Sequence, residues 1–187
     1  MSVYFTSDTH FCHLGVITKE RHTWCSSIDD MNQRLIVEHN AVVKPEDVTY
    51  NLGDVSFAGL GRTAEILRQI NGTYRVVPGN HDDKKMLRRL VEMELIELLP
   101  PLFDLKVDQH RIVLCHFPLL SWSRMQHGAL HFHGHCHGSL TEVDSRRADV
   151  GVDTAFGHGP VLLETVVNTL YARNGEYVDH HYPKLAA

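Results

Sequence analysis

The chain has 187 residues, of which 43% are hydrophobic, and this is enough for one compact domain with a substantial core. Its formal net charge of −5, with neutral histidines, argues against a basic nucleic-acid coat protein. It does not exclude a nuclease, because bound metal ions add local positive charge that a residue count misses. No segment approaches the roughly 20 apolar residues of a membrane span. The N-terminus lacks a secretory signal pattern, so we expect a soluble, cytoplasmic protein without a membrane partner.

The first half of the sequence alternates strand and helix patterns. Strands are predicted at 3–6, 47–52 and 74–77, and helices at 28–43, 63–70 and 83–93. Pro45 ends the first helix, the Asn-Gly pair at 71–72 ends the second, and Asp82 is expected to cap the third. Alternation of this kind is typical of a layered α/β domain.

The second half of the sequence is richer in strands. They are predicted at 102–107, 111–115, 129–133, 140–143 and near Val150, followed by a closing helix at 161–171. A polar tail begins at about residue 174. Neither an internal repeat nor a linker is visible, so we expect a single domain over residues 1–187.

Metal-competent side chains recur where the predicted strands end. They are Asp8, Asp54, Asn80, His116 and His135, each at the C-terminal end of an apolar run. In α/β sheets, binding sites form in the crevice beyond the carboxyl ends of the strands. The sequence therefore predicts that these side chains converge at one edge of the fold.

Two short motifs strengthen this prediction in a chain with 15 histidines. Asp8 and His10 are two residues apart, so both side chains can face one side as the first strand ends. In the stretch GHCHG, His135 and His137 have the same spacing, and we interpret them as an arm that offers one histidine to each of two metals. Each motif alone has an ordinary explanation. An asparagine such as Asn80 in a Gly-Asn turn often serves the conformation of the turn and is not a ligand.

The order of the motifs is more specific than any one of them. The segments SDTH, LGDV, VPGNHD, LCHFP and GHCHG follow one another over residues 7–138. In this order the chain resembles the calcineurin-like metallophosphoesterases, and the later VGVDTAFGHGPVLLE is similar to the end of their small bacterial and phage-type members. The resemblance implies an α/β fold, a four-layer β-sandwich flanked by helices, in a single domain with metal ions at the strand ends.

The same resemblance implies a dinuclear metal centre. One metal ion would be held by Asp8, His10 and His137, a second by Asn80, His116 and His135, and Asp54 would bridge the two. These oxygen and nitrogen ligands suit Mn²⁺, Fe²⁺ or Zn²⁺, and of these we expect two Mn²⁺ ions.

The resemblance also implies a reaction, in which a water molecule between the metals attacks phosphorus and His81 protonates the departing oxygen as general acid. Asn80 and, in the extended motif DTHFCH, His13 are expected to contact the substrate. The chain departs from many protein phosphatases of the family at GDVSFAG, where Phe57 stands in place of an aspartate that orients the catalytic histidine. Asp82 is a candidate for that task, although capping of the next helix explains it equally well.

Several polar residues near the ligand loops have two open interpretations. Arg21, His22 and Arg124 suit a contact with phosphate and a solvated loop position equally. His131 and His133 lie on the strand that enters the GHCHG arm, where they suit either support behind the ligands or a place at the rim.

We therefore predict a metal-dependent hydrolase that cleaves phosphodiesters of small nucleotide-like substrates, because the short chain leaves no room for a cap domain. A phosphomonoesterase acting on nucleotides or phosphoproteins is the alternative. A nuclease would need a basic groove, and the dense basic run at 84–89 is more simply a solvated helix face. A non-catalytic scaffold would be expected to lose ligands, whereas all seven ligand positions and His81 are present here.

Overall fold

The computed structural model describes residues 1–140 and 146–173, which form two β-sheets with helices packed against them. The strands are β1 (Val3–Thr6), β2 (Val48–Asn51), β3 (Thr73–Val76), β4 (Glu97–Leu98), β5 (Leu102–Val107), β6 (His110–Cys115), β7 (Leu130–His133), β8 (Arg147–Asp149) and β9 (Val161–Leu162). The helices are α1 (Leu14–Val16), α2 (Ile28–Val42), α3 (Leu60–Leu67), α4 (Lys84–Glu92) and α5 (Leu163–Tyr171). A π-helical turn (Ile17–Arg21) follows α1, and a 3₁₀ turn (Met125–His127) precedes β7. In the described part of the chain, every helix is too short or too polar to cross a membrane.

Parallel strands dominate both sheets. The first has the order β4-β3-β2-β1-β9, in which only β9 runs antiparallel to its neighbour. The second has the order β5-β6-β7-β8, in which β6, β7 and β8 are parallel and β5 is antiparallel. The carboxyl ends of the parallel strands in each sheet therefore lie along one edge, where loops can form a shared site.

Two layers of apolar side chains hold the sheets and helices together. Between the sheets, Phe5 of β1 packs edge-to-face on Phe132 of β7, with ring centroids 4.8 Å apart. On the other face of the first sheet, helices α2, α3 and α4 contribute Met31, Ile66 and Leu87, all of them buried. The predicted fold class is confirmed: the protein is a mixed α/β sandwich of two sheets flanked by helices in a single domain.

The start of α4 corrects one predicted role. The helix begins at Lys84, and Asp83 is its N-cap, with a carboxylate that accepts hydrogen bonds from the backbone N–H groups of Lys85 and Met86. The prediction that Asp82 caps this helix is wrong, because Asp82 is buried and accepts hydrogen bonds from the neighbouring loop instead.

The remaining differences concern elements that depend on distant partners. The predicted helix at 161–171 begins with a two-residue strand, because Val161 and Leu162 pair with β1 before the chain turns into α5. Neither β4 nor the turn that follows α1 was predicted. Residues 141–145 and 174–187 lie outside the described residues. The first stretch contains all of the predicted strand at 140–143 except Leu140, and the second is the predicted polar tail.

His131 in β7 is fully buried behind the second sheet, not at a rim. Its Nδ1 lies 2.8 Å from the carbonyl oxygen of Val113, and the backbone N–H of Leu119 donates to its Nε2 at 3.0 Å. The ring can make both bonds only when it is neutral and carries its proton on Nδ1. Burial accordingly lowers the pKa of His131 from 6.5 to about 4.

We expect the free energy of unfolding to decrease as the pH falls from about 6.5 towards about 4, because the unfolded chain binds a proton there that folded His131 excludes. His131→Asn should be less stable at neutral pH, but its stability should depend less steeply on pH across this window. Urea unfolding of both proteins in EDTA, which removes any contribution from bound metal, measures the difference. Equal pH dependence in the two proteins would contradict the assignment.

Candidate metal centre

The predicted ligands meet at the carboxyl ends of the parallel strands. Asp8 follows β1, Asp54 follows β2, His116 follows β6 and His135 follows β7. The floor of the site is closed to solvent, since Asp8, His10, Asp54 and His116 are each at most 3% exposed. Its mouth is open, with Asn80, His81 and His135 exposed. Such a site can shield a charged centre from below and still admit a substrate.

Three predicted ligands surround one point on the β1 side of the site. The Nε2 atoms of His10 and His137 each lie 3.8 Å from Oδ1 of Asp8. Ligand atoms that share a metal ion at about 2.0–2.2 Å lie about 3–3.5 Å from one another, so both of these distances are slightly longer than those between bound ligands. Asp8, His10 and His137 form one group of side chains able to hold a metal ion.

Asp54 connects this group to a second one. Its Oδ2 lies 3.7 Å from Nε2 of His10 and 3.4 Å from Nε2 of His116. The same Nε2 of His116 lies 2.9 Å from Oδ1 of Asn80. Asp8, Asp54 and His116 form the second group able to hold a metal ion. Asp54 therefore lies between His10 of the first group and His116 of the second.

Two buried polar atoms support a metal at this point. Oδ1 of Asp8 and Nε2 of His10 have no hydrogen-bond partner among the described residues. A buried polar atom without a partner costs about 1–3 kcal/mol, and more when the group is charged. A divalent cation between these atoms would satisfy both, so the side chains present fit such an ion.

Three histidines are held with Nε2 directed towards the centre. Nδ1 of His116 lies 2.8 Å from the carbonyl oxygen of Leu52, and Nδ1 of His137 lies 2.8 Å from Oδ2 of Asp153. Each ring donates its Nδ1–H to that oxygen, which leaves the lone pair on Nε2 free for a metal. In His10 the Nδ1 faces Nδ1 of His13 at 3.3 Å, and the same tautomer follows if His13 accepts the bond.

The backbone is strained at most of the predicted ligands. Five of them have positive φ angles: Asp8 (56°), His10 (47°), Asp54 (57°), His135 (70°) and His137 (48°). This region is uncommon for residues other than glycine and costs on the order of 1–3 kcal/mol each. Strain concentrated on one set of side chains indicates that the loops are shaped for a function.

Glycines allow these loops to approach one another closely. A Cβ atom at Gly79 would collide with the carboxylate of Asp54, and one at Gly134 would collide with Ser7 and with the carboxylate of Asp8. The glycines of the motifs VPGNHD and GHCHG are therefore required by close packing against the two aspartates.

The carboxylate of Asp82 joins two loops of the site and makes no hydrogen bond to the side chain of His81. Its carboxylate accepts hydrogen bonds from the backbone N–H groups of Asp54, Val55 and Gly79 at 2.8–2.9 Å. The backbone N–H of His81 donates to Oδ1 of Asp54 at 2.8 Å, which directs Oδ2 towards the metal positions. Asp82 thus joins the loops after β2 and β3, and a role in orienting the His81 ring is not supported.

Phe57 packs among the histidines at the mouth of the site. Its ring stacks on His13 with centroids 3.7 Å apart and an interplanar angle of 9°, and lies 5.1 Å from the ring of His81. An aromatic ring therefore occupies the position at which many protein phosphatases of the family have an aspartate. His13 contacts both Phe57 and His10, so it lies at the rim of the site; its contact with substrate stays a prediction.

Arg21 lies below the site and not in a solvated loop. The residue is fully buried, and its guanidinium donates to both carboxylate oxygens of Asp153 and to the backbone carbonyls of Asp8 and Thr9. A phosphate contact is therefore excluded for Arg21 in this arrangement. His22 and Arg124 are exposed.

Asp153 and Glu20 are the site residues that the sequence did not identify. Both carboxylates lie beside Nδ1 of His137, at 2.8 Å for Asp153 and 2.9 Å for Glu20. The available signal was weak, because Asp153 lies in the segment VGVDTAF that marked only the end of the family pattern.

The carboxylates of the site differ in how their surroundings change their pKa values. Burial raises the pKa of Asp8 to about 6. Burial also opposes ionisation of Asp54, but the neighbouring His116 and the hydrogen bond from the backbone N–H of His81 outweigh it and lower the pKa of Asp54. Burial also opposes ionisation of Asp153, but hydrogen bonds from His137 and Arg21 outweigh this effect and lower the pKa of Asp153. Asp54 and Asp153 are therefore anionic at neutral pH.

We expect Asp153→Asn to weaken metal binding at the Asp8–His10–His137 group by about 10–100-fold, because it removes the carboxylate that orients His137. It should also lower the free energy of unfolding by about 3–5 kcal/mol, because the buried charge of Arg21 loses its partner. Metal titration followed by urea unfolding measures both effects. Glu20→Gln is the matched control, since Glu20 is 41% exposed and its loss should cost much less. Equal effects in the two variants would contradict the role of Asp153.

The fold and the groups of side chains able to hold a metal ion agree with the comparison with protein families. The sequence profile described as calcineurin-like phosphoesterase matches residues 1–183, so the chain belongs to that family.

Individual relatives add information on the fold. The chain is 27% identical to an uncharacterized protein of Methanocaldococcus jannaschii over 175 residues, which cover 90% of each chain. It is similar to the crystal structure of a protein of unknown function from Aquifex aeolicus, with a TM-score of 0.66, 22% identity and coverage of 89% of this chain and 98% of that one. A phosphoesterase from E. coli matches with a TM-score of 0.41 and 14% identity over 82% of this chain and 80% of its own, a likeness too low to extend the argument.

Proposed function

We propose that the protein is a dinuclear-metal-dependent phosphodiesterase that acts on small nucleotide-like substrates. The observation that carries the proposal is Asp54, whose Oδ2 lies within 3.7 Å of His10 and 3.4 Å of His116. Two divalent ions, when bound, activate a water molecule for attack on phosphorus and neutralise charge on the phosphoryl oxygens. Mn²⁺ is the ion we propose, because the ligands are all oxygen and nitrogen and no thiolate is among them.

In this proposal His81 supplies the proton that the leaving group requires. Its backbone N–H donates to Oδ1 of Asp54, which places residue 81 beside the predicted ligands, and its side chain is exposed at the mouth of the site. An alkoxide is a poor leaving group, and a positioned acid accelerates its departure by about 10²–10⁴-fold. This requirement favours esters of ribose and other alcohols over esters of acidic phenols.

Asn80 and His13 are the proposed substrate contacts. Asn80 is exposed and points its Oδ1 at His116, so it stands between the candidate metal position and solvent. His13 stacks on Phe57 and faces Nδ1 of His10. A phosphoryl group placed between the two residues would lie over the metal centre.

A substrate panel tests this proposal. The purified protein, supplied with Mn²⁺, is assayed with bis-p-nitrophenyl phosphate, cyclic nucleotides, phosphomonoesters and short oligonucleotides. We expect hydrolysis of the diesters and cyclic nucleotides. Turnover of monoesters alone would replace the proposal with a phosphatase, and preference for oligonucleotides would replace it with a nuclease.

A further inference from the structure

A cavity of about 440 Å³ opens beside His81, outside the set of predicted metal ligands. Its walls come from the loop after β2, from the start of α3 and from α4. The apolar part is formed by Phe57, Leu60 and Met86, and the charged part includes Lys85 and Arg89. The metal centre does not use this space, so the cavity is available to part of a ligand.

The position of His81 relates the cavity to the reaction. In an in-line displacement the leaving oxygen departs on the side of phosphorus opposite to the attacking water. If His81 protonates that oxygen, the group bonded to the oxygen extends past His81. Because His81 lines the cavity, the leaving group has this space in front of it.

Charge in the cavity selects the kind of leaving group. Lys85 and Arg89 are four residues apart on α4, so their side chains share one face of the helix. The carboxylate of Asp83 also lines the cavity, but it accepts the N–H groups at the start of α4 and so offsets the positive end of the helix. Arg89 shares its guanidinium with Glu92, which lies outside the lining. Lys85 has no ion-pair partner among the described residues, and Arg89 has further guanidinium N–H groups besides the one that Glu92 accepts, so both cations can face a ligand.

We propose that this cavity binds the leaving group of the substrate and prefers one that combines a flat apolar part with an anionic substituent. The flat part would pack on Phe57 and Met86, and the anion would lie between Lys85 and Arg89. The inference rests on the proposed phosphoesterase function and narrows its substrates to phosphoesters with a negatively charged leaving group, such as an alcohol that carries a second phosphate or a carboxylate.

Two substrates of nearly the same shape test the effect of charge on the leaving group. Methyl 4-carboxyphenyl phosphate and methyl 4-carbamoylphenyl phosphate differ in the leaving group by one carboxylate against a neutral amide. The quantity measured is the ratio of kcat/KM for the two substrates, because intrinsic differences in reactivity cancel when this ratio is compared between variants. The double variant Lys85→Gln/Arg89→Gln should lower the ratio by about three- to tenfold at low salt, and added salt should reduce the difference.

The matched control is Lys84→Gln/Arg88→Gln, which removes the same charge from the same helix at residues that do not line the cavity. This control should leave the ratio within about twofold of the wild-type value. An unchanged ratio in the first variant, or an equal fall in both, would overturn the proposal.

A binding measurement separates failure of the cavity from failure of the enzyme. If the wild type hydrolyses no diester, the proposed function fails, and the products 4-hydroxybenzoate and 4-hydroxybenzamide are then titrated into ¹⁵N-labelled protein. Larger shifts of the Lys85 and Met86 amide signals with the carboxylate would support the cavity as an anion-selective site. Equal shifts, or none, would reject it.

Discussion

Asp54→Asn is expected to release both metal ions and to lower turnover by about a thousandfold or more while the fold is retained. The physical reason is that one oxygen of Asp54 faces His10 and His116 together, so each candidate metal position loses a charged ligand. The fold should persist because Asp82 still accepts the backbone N–H groups of residues 54 and 55.

Metal analysis per chain, circular dichroism and turnover of bis-p-nitrophenyl phosphate on one preparation check this result. Asp104→Asn is the control, since it makes the same chemical change at an exposed position of β5. Full metal content in Asp54→Asn would contradict the bridging role, whatever happened to the activity.

His81→Ala is expected to keep its metal ions and to lose activity in proportion to the need for a proton. Asn80, and not His81, is the predicted metal ligand of this loop, so metal content should stay near that of the wild type. A nitrophenolate departs readily without a proton, so the loss with bis-p-nitrophenyl phosphate should be small. With an alkyl or ribose oxygen the loss should approach about 10²–10⁴-fold.

Both substrate types are measured on the same purified variant after metal analysis. Equal losses on the two substrates would indicate that His81 positions the phosphate and does not transfer a proton. A missing metal ion would indicate instead that His81 supports the metal centre itself.

Local sequence patterns predicted the polar residues of the site that lie at the ends of strands. A glycine precedes each of Asp54, Asn80 and His135 in the sequence. Each pair follows an apolar run, and this pattern predicts the end of a strand. The structure brings these side chains together, while their roles as ligands stay predictions. The fold class followed from the same alternation of strands and helices and from the family resemblance.

Contacts between distant residues could not be predicted in this way. Arg21 and Asp153 are 132 positions apart, and nothing near either residue indicates that they form a buried ion pair. Asp82 and Asp83 are equally good helix caps by local pattern, and the choice depends on which one the loop after β2 contacts. Strand β9 exists only because β1 offers an edge for its two residues.

The most direct test of the account is to measure metal content and turnover together on the wild-type protein. We expect about two Mn²⁺ ions per chain, hydrolysis of bis-p-nitrophenyl phosphate that a chelator abolishes, and recovery of that activity when Mn²⁺ is restored. Two bound metal ions without turnover under any divalent ion would contradict the enzymatic account and indicate a scaffold. Turnover that survives complete removal of metal would contradict the metal centre itself.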